Sequence, residues 1–233
     1  MNVNMFTLNN EILETLEAVL SQERMTTYTT ATGGDKEKAL RLYTWNIAVS
    51  AAFYGPLQSL EVSLRNSMHQ QLSLVYGPDW YDNNACGLDA QSVKRVREAK
   101  DKLNKGRYPI DPPHMVAELP FGFWVALLGK GGHDTFGNKK NYDMTLWRPA
   151  LHKAFPHSRL SRRDTHRPLD YLRTLRNRIA HHEPIFSRHL QKDFQSILDV
   201  TGWICPATSR WIKNHSRVEI LLPHAHSADT ILF

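Results

Sequence analysis

Apolar residues recur at intervals of three and four along nearly the whole of this sequence, a periodicity that restricts it to helices packed on helices. Ile12, Leu13, Leu16, Val19 and Leu20 form one such stripe, and Leu57, Leu60, Leu64 and Met68 form another. The strongest is Val116, Leu119, Phe123, Trp124, Leu127 and Leu128, which reads as a core helix. Only Val218 to Leu222 alternates with period two, so it is the one candidate strand, and no repeat of fixed period is visible. The expected class is all-α. At 233 residues the chain is long enough to bury a full core, and 1–233 is read as one domain.

Turn and cap residues divide the helices. Asn9 or Asn10 caps the first, and Thr26 to Gly34 reads as loop. Helical pattern runs from Lys36 to about Phe53, Gly55-Pro56 marks a break, and a third helix follows from Leu57 to about Val75. Asp82 to Gly87 is turn-rich; Asp89 caps a basic helix that runs to Lys105 and ends at Gly106. Gly129 to Asn141 reads as a mobile basic loop, and Leu146 to Phe155 as a short helix. A long helix is expected within Leu160 to about His182, with Pro168 at its start or at a kink, and Pro184 biases Glu183 away from helix. Helical stretches at about 188–204 and 207–214 precede a short tail.

Composition narrows the setting. The two cysteines, Cys86 and Cys205, neither form a CxxC pair nor cluster with histidines, so a reducing cytoplasm is the expected compartment. No secretory signal is recognisable, and the longest apolar run, Phe121 to Leu128, is far short of the roughly 20 residues that span a bilayer. A net charge of +6 and a pI near 9.3 favour polyanionic partners. Seven arginines (159, 162, 163, 167, 173, 176 and 178) crowd one segment that holds only Asp164 and Asp170 in opposition. Such an excess is what a phosphate backbone seeks, and it is also what a solvated basic helix face looks like.

Within that segment Leu169, Leu172, Leu175 and Ile179 share one helix face, and Arg176 falls at its edge. A guanidinium on an apolar stripe costs desolvation unless it is paired or binds an anion. Glu61, inside the stripe of the third helix, is the natural partner. Arg65, one turn later, competes for it, and the self-contained Glu61–Arg65 pair is the favoured arrangement, with Glu61 holding Arg176 as the alternative. His181 lies five residues beyond Arg176, about 140° away in an ideal helix, so the two share a face only if the helix unwinds or a second subunit supplies one of them. Histidine suits general acid and base work near neutrality, and arginine is a permanent phosphate clamp.

Leu175-Arg176-Asn177-Arg178-Ile179-Ala180-His181-His182-Glu183-Pro184 resembles the Arg-Asn-x-x-x-His signature of HEPN domains, in the form seen in Abi-like (abortive infection) proteins. Two further blocks agree with it: Tyr43 to Asn66, including Glu61-Val62-Ser63-Leu64-Arg65-Asn66, and Glu118 to Trp124. The likeness spans roughly residues 36–190, with 188–233 beyond it. It implies a HEPN-like helical bundle that dimerises so that two motifs face each other, acting as a metal-independent endoribonuclease without a cofactor, as a toxin or anti-phage effector. Carried over, Arg176 and His181 are catalytic and Asn177 assists. Glu61, Arg65 and His182 are then expected around the cleft, and Arg163, Arg167, Arg173 and Arg178 against RNA, with an antitoxin or other regulatory protein left open. Some HEPN domains only bind RNA or partners, so a catalytically silent module is the alternative.

Other motifs carry less. His181, His182 and Glu183 are contiguous and cannot converge on one metal from a helix, and no HExxH pair exists. No GxxxxGK[ST] or GxGxxG cradle is present. Arg65 to His69 is one residue short of the signature and reads as mostly structural, and His224 and His226 are expected to do nothing chemical.

Overall fold

The computed structural model describes residues 9–224. The protein is all-α: among the described residues there is no strand, only one isolated antiparallel bridge between His133 and Lys139. Ten α-helices are present among the described residues. They are α1 (Asn10–Leu20), α2 (Gln22–Ala31), α3 (Lys36–Tyr76), α4 (Ala90–Lys105), α5 (Pro112–Glu118), α6 (Phe121–Leu127), α7 (Arg162–Ala180), α8 (Leu190–Ile204), α9 (Pro206–His215) and α10 (Val218–Leu221). No described helix is long and apolar enough to cross a membrane.

The chain divides into two compact units. Residues 9–54, 178–191 and 216–224 make the described part of the smaller, and residues 55–177 and 192–215 make the larger. In the smaller unit Tyr28 packs edge-on against Tyr43 with ring centroids 5.1 Å apart and touches Phe186 at 5.2 Å. Trp45 Nε1 donates to Leu221 O at 2.8 Å, tying α10 down. In the larger unit the centre is aromatic: Trp80 lies among Tyr81, Phe123 and Trp124 with centroids 5.6–6.2 Å apart. The stripe expected from sequence, Leu57, Leu60, Leu64 and Met68 of α3, is buried, and Leu72 extends it by one turn.

Several expected boundaries differ. Thr26 to Gly34 is not loop but mostly α2, because Met25 and Tyr28 are buried on one side of it, while the Thr26 and Thr29 hydroxyls donate back to the carbonyls four residues earlier (Gln22 O, 2.7 Å; Met25 O, 3.1 Å) instead of competing for the helix ladder. Burial overrides weak propensity. Gly55-Pro56 does not break the chain either, since α3 runs through it. Interior proline costs about 3 kcal/mol; here Phe53, Pro56 and Leu57 are all buried, and Ser59 Oγ donates to Gly55 O at 2.9 Å.

The Val116 to Leu128 stripe is buried as expected yet forms two helices, because Leu119 and Pro120 are extended between α5 and α6. Leu146 to Phe155 is a π-helical turn (Asp143–Trp147) followed by a 3-10 turn (Leu151–Ala154), not one helix. Val218 to Leu222 is helical rather than extended: five residues do not resolve period two from a helix turn, and the tertiary bond from Trp45 decides it. Asn9 caps α1 and Asp89 caps α4, accepting from Ile12 N and Ser92 N at 2.8 Å each, as their types predict. Asp89 also accepts from Gly132 N at 2.8 Å, anchoring the loop before Asn141. His226 lies outside the described residues.

Candidate functional site

The signature sits on the last turns of α7. Ser161 opens this helix, its hydroxyl donating to Asp164 Oδ2 (2.6 Å) and accepting from Asp164 N (3.2 Å), a reciprocal cap. Leu169, Leu172 and Leu175 then bury one face completely. Pro168 is accommodated inside the helix instead of starting it.

The end of α7 is unusual in its residue type. Glu183 N donates to Arg178 O at 2.8 Å and His182 N to Ile179 O at 3.1 Å, the pattern of a Schellman stop, with His182 in the left-handed region at φ 56° where glycine is usual. His181 is thereby the last residue before the reversal. The segment beyond is held by side chains of the smaller unit. Arg178 Nη1 donates to Pro184 O (3.1 Å) and its Nε lies 3.8 Å from Glu183 Oε2, while Arg24 Nη1 donates to His182 O (2.7 Å). Asn46, almost wholly buried on α3, accepts from both Ile185 N (2.8 Å) and Phe186 N (3.2 Å). Neither Asn46 nor Arg24 stands out in sequence; a polar residue between Trp45 and Ile47 in an apolar run was the available signal for Asn46.

In the larger unit Arg176 pairs with Glu61, Nε to Oε2 3.7 Å, with the guanidinium-bearing side chain 43% exposed and the carboxylate side chain 21%. The favoured Glu61–Arg65 pair is therefore corrected in favour of its alternative. Among the described residues Arg65 reaches only Ala117 O, at a long 3.5 Å, and its buried Nε has no partner. Arg176 is not the sunken guanidinium its place on the stripe suggested: half of it meets solvent, and no hydrogen bond takes its Nη groups among the described residues.

Asn177, His181 and His182 are exposed. Arg176 and Asn177 belong to the larger unit, and Arg178, His181 and His182 to the smaller. Of the four arginines expected against RNA, Arg163 and Arg167 are exposed, one turn apart, and form no ion pair among the described residues. Arg173 is tied to Asp170 on its own helix, Nε to Oδ1 2.9 Å, and Arg178 is committed to the loop that ends α7. Those two have structural partners.

His69, in the near-signature of α3, is structural: Trp80 Nε1 donates to its Nδ1 at 3.0 Å, and burial holds its pKa below the ordinary histidine value. Among the described residues no three His, Cys, Asp or Glu side chains converge as a metal-binding group would. No family model, curated protein or solved structure matches the chain.

Proposed function

We propose that this protein is a metal-independent endoribonuclease of the HEPN/Abi-like type, acting as a toxin or abortive-infection effector, with Arg176 and His181 as its reactive pair. The observation that carries the reading is the state of Arg176: a guanidinium on the edge of an apolar stripe, its Nε 3.7 Å from Glu61 Oε2, its side chain 43% exposed, and its Nη groups without a hydrogen bond among the described residues. Such a group can exchange water for an anion without first breaking a bond at Nη. His181 and Asn177, exposed on the same few residues of chain, supply a base and a polar neighbour.

In the proposed reaction His181 takes the proton from a ribose 2′-hydroxyl, and the 2′-oxygen attacks the adjacent phosphorus. The bond from phosphorus to the 5′-oxygen breaks, and that oxygen takes a proton from solvent, leaving a 2′,3′-cyclic phosphate and a 5′-hydroxyl. Arg176 stabilises the charge that builds on the phosphoryl oxygens. A homodimer, bringing two copies of each residue together about a two-fold axis, is part of the proposal, because one arginine and one histidine on diverging directions make a poor cleft. Exposed Arg163 and Arg167 are placed along the RNA backbone.

The second reading is a silent module that binds RNA or a regulatory protein. The Glu61 pair favours it, since it partly neutralises the charge that would receive the phosphate. Product chemistry separates the two: with EDTA present, the purified protein is expected to cut single-stranded RNA, leave DNA intact, and yield 2′,3′-cyclic phosphate ends. Linear 3′-phosphates or 5′-phosphates formed directly, or dependence on a divalent metal, would overturn the mechanism, and no cleavage at all would favour the silent module.

A further inference from the structure

The larger unit contains a concavity that shares no residue with the Arg176–His181 signature. It measures about 390 Å³, within the usual range for small-molecule sites of roughly 300–1,000 Å³, and lies where the π-helical turn, the 3-10 turn and the approach to α7 meet. Its lining combines two kinds of group. Trp147 and Phe155 contribute aromatic surface, their centroids 6.1 Å apart and their planes tilted by 35°. Arg148 and Arg159 contribute exposed guanidinium donors, His152 an exposed imidazole, and Ser158 a hydroxyl.

No carboxylate lines it among the described residues. Asp143 engages Arg148 Nε at 2.8 Å, leaving the Nη groups of that side chain, while Arg159 has no ion partner among the described residues. His152 Nδ1 donates to Trp147 O at 3.0 Å, which fixes that proton on Nδ1 and keeps Nε2 as the nitrogen available to a ligand.

We propose that this concavity binds one nucleotide, its base stacked on Trp147 and its phosphate held by Arg159 and Arg148. A half-exposed indole offers a face to any base. Two guanidiniums offer paired donors to phosphate oxygens. An apolar ligand would leave these cations unsatisfied, and a bare anion would leave the rings unused. The nucleotide is either free or one unit of a single-stranded RNA, and the site stands apart from the ribonuclease reading because none of its residues belongs to the Arg176–His181 segment.

Calorimetric titration with adenosine 5′-monophosphate, ribose 5-phosphate and a short oligoadenylate tests it, using His181→Ala protein so that the strand stays intact. Adenosine monophosphate is expected to bind at least about tenfold more tightly than ribose 5-phosphate if the site takes free nucleotides. Binding of the oligonucleotide, with the mononucleotide acting only as a weak competitor, assigns it to a strand. In either case Arg159→Ala and Trp147→Leu should each weaken binding by about tenfold, and Arg159, being exposed, can be replaced without threatening the fold. Binding of neither nucleotide probe, equal binding of ribose 5-phosphate, or affinity unchanged in Arg159→Ala overturns the proposal. Loss of RNA cleavage with this binding intact would instead strike only the ribonuclease reading.

Discussion

At the scale of single residues, local rules placed the caps, while partners distant in sequence set the roles of the charged groups. Asn9 and Asp89 were legible because a cap needs only its own next three residues. Glu61 was not: whether it faces Arg65 on its own helix or Arg176 on another depends on packing that no spacing encodes. His69 illustrates a residue whose role is set wholly by such packing. Burial lowers its folded pKa below the unfolded value of about 6.5, so its neutral form, which accepts from Trp80, contributes stability that is complete above that value and is lost as pH falls through the folded pKa. His166, whose pKa is lowered by burial with Arg162 and Arg173 assisting against Asp170, acts in the same direction. Urea unfolding should therefore give a lower stability at about pH 5 than at about pH 7, and His69→Gln should remove part of that slope. A stability unchanged across this window would contradict the assignment.

At the scale of elements, the stripes of Leu57 to Met68 and Val116 to Leu128 are buried, that of α1 is not, with Val19 78% exposed, and several boundaries differ from those the sequence suggests. Periodicity reports which residues share a face, and Val116 to Leu128 kept its face although Pro120 divides it into α5 and α6. Proline was read as a stop at Gly55-Pro56, where packing on both sides carries α3 through. The end of α7 was placed well because Pro184 forbids helix just before it. The left-handed conformation of His182 was not foreseen, since glycine is the usual signal for it. That strain is testable. His182→Gly should raise stability by about 1 kcal/mol by relieving the side-chain clash, seen as a higher melting temperature, whereas a β-branched replacement should lower it. RNA cleavage should survive His182→Gly, because the account gives His182 a turn-forming role and leaves the chemistry to its neighbour. A melting temperature lowered by the glycine would show that the histidine side chain contributes more than the strain it causes.

At the scale of the molecule, the sequence indicated helices throughout, and the structure is all-α among its described residues. It did not indicate two compact units, because the segments of each are interleaved along the chain and no linker composition marks their limits. The proposed function adds a second copy of the chain: light scattering should return about twice the 26.8 kDa monomer mass, and an active monomer would remove the reason for a paired cleft. The most direct test is the rate of RNA cleavage, in EDTA, by wild-type protein, Arg176→Ala and His181→Ala. Removing a general base or a transition-state clamp costs on the order of 10²-fold or more. Each variant is expected to show that loss with circular dichroism unchanged; cleavage that survives both substitutions would remove Arg176 and His181 from the chemistry.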